Sequence, residues 1–285
     1  MKAKKFLALA MAAVVMFGAA ACGKAGDAVE AGAGADDGKF RVGMECDYAP
    51  FNWTQSEPSD TAVPIEGGAG YADGYDVQLA KQLAEAMGKE LVVVKIEWDG
   101  LTLALQSGKI DAIIAGMSPT EKRRQTIDFS DIYYNSDFVM MVKRGSAYET
   151  AQSLEDFRGA KVSAQMNTTW YDSIDQIPEV QKQTPLATMA EFIIAVRSGK
   201  VDAVVLERPG AMAAQLANDD ITYIAFAEGQ GFEVSPEDVS VAVGVRKTDG
   251  QMLEQINAFL KDFTDEEKQE LMAAAIERQP LTNED

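Results

Sequence analysis

The chain of 285 residues contains no histidine. This absence removes the commonest metal ligand, the Ser-His and Cys-His nucleophile pairs and the usual general base near neutral pH. A phosphate-binding loop is absent too, because Leu103 stands where the Gly-x4-Gly-Lys-Ser/Thr pattern requires its first glycine. We therefore expect neither a metal site nor a cofactor, and any enzyme would have to rely on carboxylates, Lys or Tyr.

Cysteine is almost absent, since only Cys22 and Cys46 occur. Cys22 ends an N-terminal segment in which three lysines precede an apolar run at residues 6–21. The run is short for a membrane span and typical of a secretory signal, which predicts a signal peptide at residues 1–21. Its end, "AAAC", resembles the bacterial lipobox, in which the cysteine is diacylated and anchors the protein to a membrane. A plain cleaved signal is the alternative. Cys46 then has no disulfide partner within one mature chain.

Positive charge is also scarce, with 26 Lys and Arg against 45 Asp and Glu and a formal net charge of −19. This balance argues against nucleic acid as a partner, because phosphate contacts need Lys and Arg. Residues 22–38 contain mainly Gly, Ala and acidic residues without a hydrophobic period, and they predict a flexible tether. The remaining chain is long enough for one large domain or two lobes.

Hydrophobic runs and capping residues predict an alternation of strands and helices. Strands are predicted at 39–46, 91–98, 109–116, 160–165, 200–207 and 221–227, and helices at 76–88, 99–108, 153–159, 188–199, 251–263 and 264–278. Residues 55–70, rich in Ser, Pro, Asp and Gly, predict a loop, and Asp99 is expected to cap the helix that it begins. The order strand, helix, strand indicates an α/β fold.

An eight-residue phrase occurs twice, as "SGKIDAII" at 107–114 and as "SGKVDAVV" at 198–205. We interpret it as an equivalent helix-turn-strand unit in two α/β halves, the alternative being chance similarity in a common turn. Ligands of open α/β sheets bind beyond the carboxyl ends of the strands. The segments that follow the two copies, "AGMSPTEKRR" and "LERPG", are therefore predicted to form the two walls of one cleft.

Each predicted wall carries charge. In the first, a Gly-x-Ser-x-Thr turn precedes Arg123, and backbone amides together with a guanidinium are suited to binding a carboxylate. The alternative is a solvated basic face. In the second, Glu207 ends an apolar run and could pair with an ammonium group. The alternatives are a residue of the rim or a partner for Arg208.

Four segments of the chain resemble the polar amino-acid-binding proteins of bacterial ABC importers, the family 3 extracellular solute-binding proteins. They read "RVGMECDYAPFNW", "GYDVQLAKQLAEAMG", "WDGLTLALQSGKIDAIIAGMSPTEKRRQTIDFSDIYY" and "SGKVDAVVLERP". The likeness extends over residues 39–281. It implies a two-lobed α/β, periplasmic-binding-protein-like fold with two hinge strands. Lobe one would comprise residues 39–136 and 240–285, and lobe two residues 137–239.

The resemblance also implies the ligand contacts. The ligand carboxylate would be bound by Arg123, Gly116, Ser118, Thr168 and Thr169. Asn167 stands where the family usually has Gly before the two threonines. Glu207 takes the place of the acid, often Asp, that binds the α-ammonium group, and its extra methylene would change the reach.

Aromatic residues complete the implied site. Tyr48 and Trp98 fall where the family clasps the ligand side chain, although core packing is the alternative for both. Glu45 lies where relatives with cationic ligands carry an acid, so the two rings could stack on a cation that Glu45 neutralises. Glu45 could equally accept a hydrogen bond from any polar side chain.

The resemblance thus predicts a non-enzymatic receptor that delivers a polar, possibly cationic, amino acid to an ABC importer. Its partners would be the amino acid, the permease and, through Cys22, the extracytoplasmic face of the cell membrane, and we expect a monomer. Two alternatives stay open: a cyclohexadienyl dehydratase-like enzyme on the same fold, and a ligand-sensing module for a signalling partner.

Overall fold

A computed structural model describes residues 37–68 and 70–280. The predicted signal peptide at 1–21, the predicted lipidation site Cys22 and nearly all of the tether at 22–38 lie outside the described residues. The strands are β1 (Lys39–Met44), β2 (Asp47–Tyr48), β3 (Asn52–Gln55), β4 (Val63–Pro64), β5 (Tyr71–Asp73), β6 (Glu90–Lys95), β7 (Ala112–Ile113), β8 (Asp128–Asn135), β9 (Phe138–Lys143), β10 (Lys161–Ser163), β11 (Gln181–Lys182), β12 (Ala203–Glu207), β13 (Ile221–Ile224) and β14 (Ser240–Val245). The α-helices are α1 (Tyr75–Ala86), α2 (Leu101–Gln106), α3 (Glu121–Arg124), α4 (Thr169–Ser173), α5 (Met189–Arg197), α6 (Arg208–Ala217), α7 (Gly250–Asp262) and α8 (Asp265–Arg278).

Two five-stranded sheets share one plan. Sheet one has the order β6-β1-β7-β14-β8, and sheet two has the order β11-β10-β12-β9-β13. In each, three parallel strands are followed by two strands that pair in antiparallel fashion. The chain passes from sheet one to sheet two between β8 and β9 and returns between β13 and β14. The predicted two-lobed α/β fold is confirmed, while the residue bounds of the lobes stay a prediction.

The repeated phrase forms the same turn in both sheets. Ser107 and Ser198 each end a helix and donate a side-chain hydrogen bond to a carbonyl three residues earlier, at 3.0 and 3.3 Å. Gly108 and Gly199 follow with φ of 77° and 71°. This left-handed conformation favours glycine and ends helices. The two copies are therefore equivalent in backbone conformation as well as in letters.

The aspartates of the phrase align the strands that follow. Asp111 accepts a hydrogen bond from the backbone N–H of Arg41 at 2.9 Å, and Asp202 accepts one from Lys161 at 2.8 Å. The backbone N–H of each aspartate donates in return to the carbonyl of the same partner at 2.7 Å. This reciprocal pair sets the register of β7 beside β1 and of β12 beside β10.

Two local predictions are wrong. Asp99 does not cap α2, whose N-cap is Gly100 without a side-chain hydrogen bond. It accepts a hydrogen bond from Asn167 instead, at 2.7 Å. Residues 55–70 are not only a loop, because β4 lies within them and joins a four-stranded sheet of order β2-β3-β5-β4. Two-residue strands are too short to show the alternation on which a strand prediction depends.

The predicted helix at 76–88 is present as α1. Leu79, Ala80, Leu83 and Ala84 are buried against sheet one. Gly88 follows with φ of 65°, as expected of a residue that ends a helix. Helix α1 thus places its N-terminal residues beneath the loops that leave β1 and β7.

Candidate ligand-binding cleft

The predicted site residues follow the carboxyl ends of strands in both sheets. Eight of the nine line one pocket together with three residues that the sequence did not indicate. The predicted ones are Glu45, Tyr48, Trp98, Gly116, Ser118, Arg123, Thr168 and Thr169, and the others are Ala115, Gln165 and Trp170. The ninth, Glu207, is the last residue of β12 and is not one of the residues that line this pocket.

Arg123 is the member of the basic run that enters the pocket. It donates from Nη1 to the Ser118 carbonyl at 2.8 Å and from Nη2 to the Asn167 carbonyl at 3.1 Å. Its guanidinium carbon lies 5.1 Å from the centre of the Trp98 ring. Burial lowers the pKa of Arg123 to about 10, which leaves it cationic at neutral pH. Lys122, its neighbour, is exposed, so the basic run as a whole is not the site.

Asn167 adopts the conformation that a glycine would have at this position. Its φ is 58°, in the left-handed region that asparagine tolerates better than most residues. The turn places the Asn167 carbonyl against Arg123. Thr168 then caps α4 by accepting from Tyr171 N at 3.3 Å, while its hydroxyl donates to the Gln165 carbonyl at 2.8 Å. The substitution of Asn for the family's Gly therefore leaves the turn in place.

Glu207 is a buried carboxylate without a cationic partner among the described residues. Its side chain caps α6, where Oε1 accepts from Gly210 N at 3.2 Å. Within the described residues, neither its Oε2 nor the Tyr48 hydroxyl has a hydrogen-bond partner, although both are buried. The Glu207 carboxyl group and Tyr48 lie near each other, since a Cβ on Gly210 would be 2.7 Å from Glu207 Oε1 and 3.1 Å from the Tyr48 hydroxyl. Burial raises the pKa of Glu207 to about 8.

Arg208 does not neutralise Glu207, although it is the next residue. It forms a two-point ion pair with Asp137, in which Nε donates to Oδ1 at 2.6 Å. The backbone N–H of Arg208 also donates to the Asp137 carbonyl at 3.1 Å. Asp137 lies between β8 and β9, where the chain passes from one sheet to the other. The alternative of an ion pair between Glu207 and Arg208 is therefore wrong.

Glu45 is the second buried carboxylate of the cleft. It follows β1, is 8% exposed and accepts from Gln165 Nε2 at 2.9 Å. Burial raises its pKa to about 8, and the charges of Asp47, Glu97 and Asp99 act in the same direction. No Lys or Arg of the described residues forms an ion pair with it. The surroundings of Glu45 thus favour a cation.

The two predicted aromatic residues differ in their contacts. Tyr48 is stacked on Phe51, with centroids 5.6 Å apart and planes 4° from parallel. It also meets Trp170 at 5.9 Å. Trp98 is half-buried and carries the Arg123 guanidinium on its ring. Tyr48 therefore belongs both to the core and to the pocket, whereas Trp98 packs against the edge of the core and stacks on Arg123.

Gln165 and Trp170 are the functional candidates that the sequence reasoning missed. Gln165 follows β10 and donates from Nε2 both to Glu45 and to the Ala187 carbonyl, at 2.9 and 3.0 Å. The rule that ligands meet the carboxyl ends of strands would have found it, because β10 is parallel to β12. Trp170 had only its position directly after the two threonines as a signal.

Three hydrogen bonds connect loops of sheet one with loops of sheet two. They are Gln165 to Glu45 at 2.9 Å, Asn167 to Asp99 at 2.7 Å and Arg123 to the Asn167 carbonyl at 3.1 Å. All of them border the pocket, so the two halves of the cleft are in contact.

Residues 37–68 and 70–280 contain neither a helix suited to span a membrane nor a group of candidate metal ligands. None of the helices in this part of the chain has the length and apolar character needed to cross a bilayer. Within the same residues, no three His, Cys, Asp or Glu side chains are grouped so that they could hold a metal ion.

Comparisons with known proteins agree with this geometry. A sequence profile of the bacterial extracellular solute-binding proteins, family 3, matches residues 40–275. The arginine-binding extracellular protein of Bacillus subtilis (strain 168) is 30% identical over 267 residues, which cover 92% of this chain and 93% of that protein. The ABC transporter glutamine-binding protein of the same organism is 30% identical over 196 residues, or 68% of this chain and 68% of that protein.

Two solved structures resemble the fold. An amino acid ABC transporter substrate-binding protein from Streptococcus pneumoniae, bound to L-arginine, has a TM-score of 0.74 at 26% identity and covers 85% of this chain and 95% of its own. An ancestral amino acid-binding protein, a precursor of cyclohexadienyl dehydratase, has a TM-score of 0.68 at 30% identity and covers 84% of this chain and 96% of its own.

Proposed function

Because the chain belongs to the bacterial extracellular solute-binding proteins of family 3, we propose that it is the amino-acid receptor of an ABC importer and that its ligand has a cationic side chain. The observation that carries this proposal is the position of two buried carboxyl groups, those of Glu45 and Glu207, near a half-buried arginine, Arg123. An amino acid with a positive side chain has one anionic and two cationic groups, which match these three side chains.

Arg123 and Glu207 would share the α-carboxylate and the α-ammonium group. Arg123 follows sheet one and Glu207 ends a strand of sheet two, so neither half of the cleft satisfies both charges alone. A ligand that contacts both halves favours the closed arrangement over an open one. Binding would replace the weak contact of Arg123 with the Asn167 carbonyl by a charge-assisted contact with a carboxylate.

Glu45 would meet the cationic end of the side chain. The desolvated carboxylate gains most from a positive partner, and three further acidic residues near it add to a negative local potential. Tyr48 and Trp98 offer ring faces of the kind that attract guanidinium and ammonium groups. The arginine-binding relatives described above support this assignment.

The experiment is a parallel titration of the wild type and Glu45→Gln with L-arginine, L-lysine, L-ornithine and L-glutamine. Loss of the acid leaves a cation desolvated beside the rings but leaves an amide only one hydrogen bond short. We expect the affinity for the cationic ligands to fall more than that for glutamine, by about 1–3 kcal/mol.

Glu254→Gln is the matched control, because it removes the same charge from an exposed position on α7 that lies outside the pocket lining and away from Glu45. This variant should change the affinities for the cationic amino acids and for glutamine only slightly, and by similar amounts. A wild type that binds glutamine and none of the cationic amino acids would contradict the proposed ligand class. An equal loss for both classes in Glu45→Gln would reduce Glu45 to a structural role.

We also propose that Cys22 carries the lipid that holds the receptor on the extracytoplasmic face of the membrane. Cys22→Ser should leave the fold intact and move the protein to the soluble fraction after signal processing. Fractionation of the producing cells with high-salt and carbonate washes measures this. A variant that stays in the membrane fraction would contradict the lipid anchor without affecting the binding proposal.

A dehydratase is the second candidate, because two buried carboxylates with raised pKa values are also the groups that acid–base catalysis requires. This candidate is worth testing because the fold resembles an ancestral amino acid-binding protein that is a precursor of cyclohexadienyl dehydratase. Incubation with prephenate, followed by absorbance of an aromatic product, separates the two functions. If the wild type forms the product and Glu207→Gln does not, the result favours the enzyme. If the wild type forms no product, the receptor function is favoured.

A further inference from the structure

A buried chain of hydrogen bonds lies beneath the pocket and connects two of its loops. The backbone N–H of Cys46 donates to Asn52 Oδ1 at 2.7 Å, and Asn52 Nδ2 donates to Asp76 Oδ2 at 2.8 Å. The Tyr133 hydroxyl donates to Asp76 Oδ1 at 2.8 Å and accepts from the backbone N–H of Gly116 at 3.1 Å. Asn52, Asp76 and Tyr133 are fully buried.

The two backbone amides at the ends of this chain belong to the loops that carry the candidate ligand contacts. Cys46 lies between Glu45 and Tyr48, and Gly116 lies two residues before Ser118. Both amides belong to residues in the left-handed region, with φ of 54° at Cys46 and 59° at Gly116. A non-glycine residue keeps such a conformation only where its surroundings fix it.

We propose that Asp76 is a positioning residue for the ligand pocket, which orients the Glu45–Tyr48 loop through Asn52 and the Gly116–Ser118 loop through Tyr133. This inference rests on the proposed binding function of the pocket. Asp76 lies in the first turn of α1 and contacts no ligand itself. Its role is to supply two acceptor oxygens at one point, so that a single side chain fixes both loops.

The direction of every hydrogen bond in the chain depends on Asp76 being an acceptor at both oxygens. An asparagine at position 76 places an amide donor against either Asn52 Nδ2 or the Tyr133 hydroxyl. If Asn52 rotates to avoid the clash, its own amide donor faces the N–H of Cys46. Any arrangement therefore leaves one donor facing another, or a hydroxyl without an acceptor, in a buried place.

Exchanging the two residues restores the pattern, which makes the proposal sharply testable. In the double variant Asn52→Asp with Asp76→Asn, the new aspartate accepts from both Cys46 N and the new asparagine. The new asparagine accepts from Tyr133 through its carbonyl. The single variant Asn52→Asp instead places two carboxylates against each other.

The experiment compares L-arginine affinity, by calorimetry, in the wild type, both single variants and the exchanged pair. We expect each single variant to bind about tenfold more weakly or worse, as the loss of one hydrogen bond can produce. The exchanged pair should return to within about threefold of the wild type. An exchanged pair that binds no better than the single variants would overturn the proposal.

Leu79→Ala is the control for simple destabilisation, because Leu79 is fully buried on the same helix and contributes nothing to the hydrogen-bond chain. It should lower the melting temperature while leaving L-arginine affinity unchanged well below that temperature. If Asp76→Asn behaves in the same way, with lower stability but unchanged affinity, Asp76 has no positioning role.

Hydrogen exchange of the ligand-free protein tests the loops without any ligand. Asp76→Asn should speed exchange at the amides of both Cys46 and Gly116, whereas Tyr133→Phe should speed it at Gly116 alone. Unchanged exchange at both amides in Asp76→Asn would overturn the inference. A wild type that binds no amino acid, together with the expected exchange pattern, would contradict the proposed function and leave the positioning role of Asp76 intact.

Discussion

Arg123 and Glu207 are proposed to bind the two opposite charges of an amino acid, and they differ in the contacts that they make without a ligand. The guanidinium of Arg123 donates to two carbonyls, one on each side of the cleft. Glu207 uses one oxygen to cap α6 and leaves the other buried without a partner. A ligand would therefore improve a contact at Arg123 and create one at Glu207.

We expect Arg123→Ala and Glu207→Gln each to weaken amino-acid binding by about one to three orders of magnitude while the fold is kept. Removing one partner of a desolvated charge pair costs about 2–5 kcal/mol, because the other charge stays buried. Calorimetric titration measures the loss. Lys122→Ala is the control. Because Lys122 is exposed, this variant should bind the amino acid as tightly as the wild type does. Near-wild-type affinity in either of the first two variants would move charge recognition to other residues.

Chain position after a strand, together with the family resemblance, was enough to predict that Glu45 and Arg123 lie in one pocket. That these residues and Glu207 bind a ligand stays a prediction. The chain of hydrogen bonds around Asp76 could not be predicted, because its partners Asn52 and Tyr133 lie 24 and 57 positions away in the sequence. A local sequence pattern does not predict which polar groups, distant in the sequence, will lie next to each other in the core.

At the scale of elements, the repeated turn is the clearest link between sequence and structure. Its serine, glycine and aspartate make the same contacts in both sheets, so eight letters of sequence correctly indicated two equivalent units. The small sheet of β2 to β5 was missed because its strands are short and lie in a segment rich in turn residues. The Asp99 cap was wrong because Asn167, distant in sequence, provides a competing hydrogen bond.

We expect Gly108→Ala and Gly199→Ala to reduce the free energy of unfolding by similar amounts, about 1–2 kcal/mol each. Both glycines have positive φ, and a Cβ at either position would meet nothing within 4 Å. The cost is therefore conformational and should be nearly equal in the two sheets. Denaturant unfolding measures it.

Gly250→Ala serves as the control for these two substitutions. Gly250 begins α7, has no positive φ, and its added Cβ would also meet nothing within 4 Å. Alanine favours the helix there, so stability should stay the same or rise. Unequal losses at Gly108 and Gly199 would contradict the equivalence of the two turns.

At the scale of the whole molecule, two buried carboxyl groups make the stability of the ligand-free protein depend on pH. Burial raises the pKa of Glu45 and of Glu207 to about 8. Because these values exceed those of an unfolded chain, the folded state holds protons that the unfolded state releases. The stability that results is complete below about pH 4 and is lost progressively as the pH rises to about 8.

The melting temperature of the ligand-free protein should therefore fall between about pH 5 and pH 8. Glu45→Gln and Glu207→Gln should each flatten this decline, since an amide does not titrate. Scanning calorimetry or fluorescence across this range provides the measurement. Glu254→Gln, at an exposed position on α7, should keep the slope of the wild type. A melting temperature that stays constant across the range in the wild type would contradict the raised pKa values.

The two-lobed fold as a whole was predictable from the sequence. The hydrophobic runs predict alternating strands and helices, and the repeated phrase predicts two equivalent halves. The passage of the chain between sheets at Asp137 was not predicted by local pattern, as β8 and β9 are separated by only two residues. The family resemblance alone implied hinge strands there.

The hydrogen bond between Arg123 and the Asn167 carbonyl bears on the rate of ligand capture. A ligand that binds Arg123 as proposed must first break this bond, and domain motions that separate two halves take microseconds to milliseconds. We therefore expect capture in two steps, separation followed by docking, with an observed rate that levels off as the ligand becomes abundant. In rich surroundings the pace of supply to an importer would be set by how often the receptor opens, and in poor surroundings by how often a ligand arrives.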